Sequence, residues 1–333
     1  MKRVVVICLL ALTFGGPWLP ACTSADPRIV QRTEPHMGTS VSLTVAAKGN
    51  RLGERALDAG FAEVARLEGV FSSYRTNSDL ARVNRGAGAG VVSVPPEFIE
   101  LTRRAFAITD LTDGAFNPLV GPAVKLWGIP ENPRKPAAAE LEGLLPLLEP
   151  SWVTVEDTGV GLKAAGMALG FGGIAKGYTA DRVADLLASI PGISGAVVAI
   201  AGDIRVFGTR PDGSPWRVGV KRPKGGTESI LSMTSGAVST SGNYARFFEL
   251  DGVRYHHILD PRTLMPSRAV TAVSVTAPDA TTTDALATAL FVMGADDGLA
   301  LVTRMDGAEA LFILPDGIRR ASPGWAGVRP APG

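Results

Sequence analysis

Cysteine is nearly missing from this chain. Its 333 residues hold two, Cys8 and Cys22, both within the first 22 positions. With Cys22 as the first residue after processing, cysteine nucleophiles and Cys-based metal sites are excluded from the rest of the protein. Histidine is scarce too, with three residues, so His36, His256 and His257 each carry weight. Neither sign of charge dominates. The formal net charge is +1, which argues against a general nucleic-acid surface. The apolar run from Val4 to Phe14 is too short for an ordinary membrane-spanning helix.

What is present is ample apolar material, 46% of residues, enough for one large domain or two. The start reads as a secretory signal: Lys2 and Arg3, the apolar run, then Leu19-Pro20-Ala21-Cys22. The last four residues resemble a bacterial lipobox, in which Cys22 is lipidated; a plain signal with an incidental cysteine is the alternative. The expected organisation is a lipoprotein signal peptide over 1–21, a lipid-anchored tether over 22–33, a folded body over 34–321 and a flexible Pro/Gly-rich tail over 322–333. Such a protein sits on the periplasmic side, anchored to the inner or outer membrane; Thr23 after the cysteine points to the outer one.

Ser40 to Ala46 alternates and reads as a strand. Leu52 to Phe71 has helical spacing, and Pro95-Pro96 opens a second helix to about Thr109. From Trp152 short apolar strands recur, at 152–155, 196–207, 216–220, 247–250, 253–258, 271–276 and 310–314. Asp-Gly pairs at 212–213, 251–252 and 316–317 read as hairpin turns. Helices from Tyr178 to about Ser189 and from Thr283 to Met293 interrupt them. The class is α+β with an antiparallel meander.

Three segments carry candidate chemistry. Asp284 and Thr288, four apart, fall on one helical face, with Leu286, Leu290, Phe291 and Val292 to be buried. The pair suits either helix capping or a hard cation such as Mg²⁺. Gly170-Phe-Gly172-Gly173-Ile-Ala-Lys176-Gly177 runs into a helix. Its glycines allow close backbone approach, and the helix start with Lys176 suits phosphate. It fits neither the dinucleotide-binding fingerprint nor the P-loop, and a tight structural turn is the plainer reading. Tyr255-His256-His257-Ile-Leu-Asp260-Pro-Arg262 holds adjacent histidines that point to opposite faces of a strand, so at most one serves a given site. His257, Asp260 and Arg262 together suit acid–base chemistry; a surface histidine beside a turn is the alternative. Asp113–Gly128 reads as a packed loop and short helix, and Tyr74 as either packed or free to stack on a flat ring.

In this order the segments Met37-Gly38-Thr39, Phe71–Asn84, Asp113–Gly128, Gly172–Asp181, Thr240–Asn243 with His257–Thr263, and Thr283–Gly294 resemble the ApbE family of FAD:protein FMN transferases. The resemblance implies a T-fold-like antiparallel sheet with helices, a smaller α/β part, and an FAD cleft between them. It implies Mg²⁺ at the pyrophosphate and transfer of FMN to a Thr or Ser hydroxyl of an envelope electron-transfer protein, with release of AMP. By position, Asp284, Thr288 and a backbone oxygen at Ala175 match metal ligands. Met37, Tyr74, Asn117, Pro118, Leu119, Val120, Gly173, Lys176 and His257 match FAD contacts. His257 and Asp284 match the catalytic positions. The chain departs from the family pattern at Gly170-Phe171, where Asp-Leu is usual, at Asn117 for Asp, at Ala201 for Gly and at Leu264 for Gly. Three rival readings follow: an FAD pyrophosphatase yielding FMN and AMP, a non-catalytic flavin-binding maturation lipoprotein of a redox complex, and a structural envelope lipoprotein that binds no flavin.

Overall fold

The alternating segment at residues 40–46 is the second strand of an eight-stranded antiparallel sheet. In the computed structural model, which describes residues 26–327, the order is β1 (Pro27–His36), β2 (Thr39–Lys48), β6 (Ile193–Ile200), β7 (Asp203–Gly208), β10 (Ser235–Gly242), β13 (Ala272–Ala277), β14 (Glu309–Ile313) and β15 (Arg319–Ala321). A smaller sheet sets β5 (Gly159–Leu162) between β3 (Gly90–Ser93) and β4 (Val153–Val155). Two hairpins stand apart, β8 (Trp216–Lys221) with β9 (Thr227–Met233) and β11 (Phe247–Leu250) with β12 (Val253–His256). The helices are α1 (Asn50–Phe71), α2 (Asp79–Arg85), α3 (Pro96–Leu111), α4 (Gly121–Trp127), α5 (Ala138–Glu142), α6 (Ala175–Ala188), α7 (Ala280–Met293) and α8 (Ala295–Val302). The class is α+β, as the sequence implies.

Helices α1, α6 and α7 pack against the main sheet: α1 over β1 and β2, α6 over β6 and β7, α7 over β10 and β13. The apolar spacing of α1 explains its seat, since Ala56, Leu57, Phe61 and Val64 are all buried with Val41, Leu43 and Val45 of β2. A separate apolar cluster brings Trp216, Val218, Val220 and Leu231 of the β8–β9 hairpin against Val206 and Val238 of the sheet. Another core gathers Phe71, Phe98, Leu119, Trp127 and Phe171 around the smaller part. Ala175 and Tyr178 of α6 and Ala285 and Ala289 of α7 belong to that core too. Helices α6 and α7 are therefore shared walls between the two parts.

Several expectations need correction. Residues 27–33 are strand, not tether: β1 pairs with β2 in unbroken register from Pro27↔Lys48 to His36↔Thr39. An edge strand with one wet face is mostly polar, and that hid it. The tail is fastened at its start. Ser322 is buried, its hydroxyl accepts from Ala310 N–H at 2.9 Å, and Gly324 N–H donates to Glu309 Oε2 at 3.1 Å. The run 196–207 is two strands broken at Ala201, whose φ is +56°. Asp251-Gly252 and the turn at Asp316-Gly317 do close hairpins. Asp212-Gly213 does not, because β7 and β8 lie in different sheets. Leu264 also has a left-handed φ, +56°, and its carbonyl accepts from Trp127 Nε1. Both departures at Ala201 and Leu264 thus put a side chain where glycine is the low-strain residue. The signal peptide and Cys22 lie outside the described residues. Among the described residues no helix is long and apolar enough to cross a membrane.

Candidate active site

The site is built where α6 and α7 touch. Gly177 makes that contact possible. A β-carbon there would lie 2.6 Å from the Ala280 carbonyl carbon and 2.8 Å from Asp284 Cβ. Gly173, in the segment leading into α6, repeats the pattern: a β-carbon there would meet Thr288 Oγ1 at 2.8 Å. These glycines therefore serve helix–helix approach. Gly172, by contrast, faces open space. Gly170 lies against Gly121 and donates its N–H to Pro118 O at 2.7 Å.

Asp284 does not cap α7. The cap is Asp279, whose Oδ1 accepts from Thr282 N–H at 2.9 Å. Asp284 sits in the second turn, buried, and its Oδ2 accepts from Gly177 N–H at 3.0 Å. An internal carboxylate thus takes the α6 N–H that the sequence reading offered to a phosphate. Asp181 fixes the geometry. Its carboxylate accepts from the N–H groups of Ala280 and Thr281, both at 2.8 Å, and from Thr281 Oγ1 at 2.6 Å. Arg205 Nε lies 3.2 Å away from it. The first turn of α7 is thereby tied to α6.

Lys176 joins the two walls. Its Nζ donates to both Asp284 oxygens at 3.2 Å and to Gly172 O at 3.2 Å, and lies 3.0 Å from Asp203 Oδ2. Asp203 is buried at the start of β7. Burial opposes the ammonium charge, but Asp203 and Asp284 outweigh it and hold the Lys176 pKa above the usual lysine range. Two carboxylates share one ammonium, so negative charge is in excess. Burial first, and the Asp203 charge second, push the Asp284 carboxyl up. Lys176 and the Gly177 N–H offset only part of that.

The two histidines do point apart. His256 is buried edge-on to Phe291, with Nε2 2.6 Å from Ser267 O. His257 has Nδ1 3.2 Å from Arg246 O. A carbonyl only accepts, so Nδ1 carries the proton and Nε2 keeps its lone pair. Nε2 has no partner among the described residues. Burial, with smaller contributions from Arg246, His256 and Lys176, holds the His257 pKa down at about 4. The ring is neutral at physiological pH. Asp260 is not its partner; that carboxylate is held by Arg262 at 2.9 and 2.8 Å.

Asp284, Thr288, Gly173 and Lys176 are brought together, and His257 lies near enough to feel the Lys176 charge. Thr288 Oγ1 donates to Asp284 O at 3.3 Å, leaving its lone pairs free. The Ala175 carbonyl already accepts from Thr179 Oγ1 at 2.8 Å; the carbonyl that meets Lys176 is Gly172. Tyr74 is 60% exposed and its ring edge lies beside Gly38, next to Met37. Met37 and Gly38, φ +52° and +66°, form the β1–β2 turn. Pro118 and Leu119 are buried and Val120 is half-buried. Asn117 is used by its own loop: Oδ1 accepts from Leu119 N–H at 2.8 Å and Nδ2 donates to Leu148 O at 2.9 Å. An aspartate lacks that second donor. Sequence reasoning missed Asp203, Asp181 and Arg205 as parts of the site. The Ala-Gly-Asp turn before β7 was its only visible signal for Asp203.

A divalent cation fits this donor set. The Asp284 carboxylate, a hydroxyl with free lone pairs and a nearby carbonyl are hard oxygen ligands, and Asp203 and Asp284 together outnumber the single Lys176 charge. Among the described residues no three His, Cys, Asp or Glu side chains form a ready-made metal cage. A Mg²⁺ site of one or two protein oxygens completed by phosphate needs none.

Comparison with known proteins agrees with the geometry. The sequence profile of the ApbE family matches residues 37–312. The FAD:protein FMN transferase of Treponema pallidum is 38% identical over 290 residues, covering 81% of this chain and 80% of the relative. That of Klebsiella pneumoniae is 32% identical over 296 residues, covering 87% and 90%. The crystal structure of the ApbE protein of Thermotoga maritima superposes with a TM-score of 0.82 at 36% identity, covering 89% of this chain and 97% of that one. The apo flavinyl transferase ApbE of Pseudomonas stutzeri superposes at 0.80, with 29% identity and 89% and 95% coverage. A profile that spans most of the body, a fold shared along nearly its whole length and a site at the α6–α7 contact converge: the chain belongs to the ApbE family.

Proposed function

We propose that this protein transfers FMN from FAD to a Thr or Ser hydroxyl of an envelope electron-transfer protein, in a Mg²⁺-dependent reaction that releases AMP. The observation that carries the reading is Lys176 held between two buried carboxylates, with a neutral histidine close enough to feel its charge and, among the described residues, no partner on that ring's Nε2. The relatives named FAD:protein FMN transferases support the activity.

In this reading Asp284 and Thr288 hold the cation through a carboxylate and a hydroxyl, with a main-chain carbonyl from Gly172 in place of Ala175. The cation supplies Lewis-acid neutralisation of the pyrophosphate charge. Lys176 places a permanent positive charge beside the same oxygens. Met37, Tyr74, Gly173 and the Asn117–Val120 segment border the nucleotide, Tyr74 by offering an aromatic face. The acceptor oxygen bonds to the FMN-side phosphorus, the bridging P–O bond breaks, and AMP leaves with the bonding pair. His257 Nε2 takes the acceptor proton. A ring whose pKa sits near 4 is a weak base, and the negative pyrophosphate beside it raises that basicity when FAD is bound. We further propose a periplasmic location with a lipid anchor at Cys22.

The test is direct. Purified protein, FAD, Mg²⁺ and an acceptor should give a flavin-fluorescent acceptor band that survives denaturation, with one AMP per flavin. AMP release without acceptor labelling would favour the pyrophosphatase instead. Retained FAD with neither product would favour the non-catalytic flavin binder.

A further inference from the structure

Lys176 occupies the place a cation would want. Its ammonium sits 3.2 Å from each oxygen of Asp284, the residue assigned to the metal in the reading above, on which this inference rests. An ammonium and a divalent cation on one carboxylate compete, because each neutralises the same charge and repels the other. The structure also holds a second, equally buried acceptor for that ammonium. Asp203 Oδ2 is the nearer carboxylate, at 3.0 Å, and comes from a different element, the first residue of β7. Asp284 has a further donor in Gly177 N–H and is fixed on α7 by the Asp181 anchor. Lys176 can therefore leave Asp284 without losing its ion pair or exposing its charge to an apolar wall.

We propose that Asp203 is a positioning residue that draws the Lys176 ammonium away from Asp284, so that a divalent cation takes Asp284 while Lys176 stays in the site, held to face the pyrophosphate. Asp203 acts through Lys176 and does not ligate the metal. Without Asp203 the ammonium pairs with Asp284 alone, and the cation must displace it into a site with no other counter-ion. This mirrors the role of outer partners at metal centres, whose removal weakens metal binding by roughly 10–100-fold.

The test is Mn²⁺ binding to the full-length protein with saturating FAD and no acceptor, followed by the loss of the free Mn²⁺ electron paramagnetic resonance signal at pH 8 beyond that in FAD alone. Wild type should bind and Asp284→Ala should not. If wild type fails to bind, or Asp284→Ala binds equally well, the metal reading itself fails, and this inference with it. Given that baseline, Asp203→Asn should bind Mn²⁺ about 10–100-fold more weakly. In a Lys176→Met background the same Asp203→Asn change should cost nothing, because no ammonium remains to be drawn away. An Asp203 effect of the same size in both backgrounds would overturn the proposal in favour of a direct charge or ligand role. No effect in either would overturn it outright. Circular dichroism checks the fold of each variant. Should Asp203→Asn not fold, Asp203→Ser, which also removes the charge, is read in the same cycle with the same criterion.

Discussion

Replacing Gly177 with alanine pits two opposite effects against each other at the site. On helix propensity alone the change favours α6 by about 1 kcal/mol. The new methyl would lie 2.6 Å from the Ala280 carbonyl carbon and 2.8 Å from Asp284 Cβ, where ordinary contacts begin at 3.4 Å. The Ala280 carbonyl oxygen would be closer still, so helix α7 must retreat by more than about 0.8 Å, and overpacking of this kind costs about 1–3 kcal/mol. The retreat also stretches the 3.0 Å bond from Gly177 N–H to Asp284. A hydrogen bond to a charged group contributes about 1.5–3 kcal/mol. The net expectation for Gly177→Ala is a loss of about 2–4 kcal/mol, or a melting temperature lower by about 5–10 °C. Displacement of Asp284 by most of an ångström should lower FMN transfer by on the order of 100-fold. Gly172→Ala is the control: a β-carbon there meets nothing within 4 Å. It should melt like wild type. Thermal unfolding and flavin-transfer rates measured on both variants decide the matter. A Gly177→Ala protein that melts at or above the wild-type temperature and keeps full activity refutes the close α6–α7 contact as the basis of the site.

Other expectations are narrower. Asn117→Asp keeps the cap on Leu119 but turns the donor to Leu148 O into a repulsive acceptor, and should lower stability by about 1–3 kcal/mol in a denaturant melt. Asp181→Asn removes the charge that holds Arg205 and the first turn of α7, and should destabilise by about 3 kcal/mol with weaker Mn²⁺ binding. His257, held near pH 4 in the folded state against 6.5 in the unfolded one, leaves the unfolded state binding more protons between those values. Its contribution to stability is complete above about pH 6.5 and is lost as pH falls toward 4; equilibrium unfolding at pH 4.5 and 7.5 should show a smaller difference for His257→Phe than for wild type.

Much of the fold could be read in the chain because its periodicity was plain. Helix α1 and strands β2 and β8 carry alternating or helical apolar patterns that one-sided burial requires. Strand β10 could not be read. Its sequence Ser-Gly-Ala-Val-Ser-Thr-Ser-Gly looks like a loop, yet it runs between β7 and β13 in the main sheet. Small residues there let α7 approach, and hydroxyls pair on both sides of the strand: Ser239 with Thr283 of α7 and Thr240 with Ser274 of β13, each at 2.8 Å. The Asp284–Thr288 pair and Lys176 were visible through spacing and resemblance. Their supports were not, because Asp203 meets Lys176, and Asp181 holds the first turn of α7, only through tertiary pairing of distant elements. The glycines of the Lys176 segment were seen but given to a phosphate, since sequence alone does not distinguish room for a ligand from room for a second helix.

In the proposed reaction FMN is transferred at the α6–α7 contact, with Asp284 at its centre. The measurement that bears on it most directly is the rate of FMN transfer from FAD to an acceptor protein, with Mg²⁺, by wild type and Asp284→Ala protein of matched fold. Wild type should label the acceptor and Asp284→Ala should lose transfer by several orders of magnitude. Equal labelling by the two proteins would contradict the assignment.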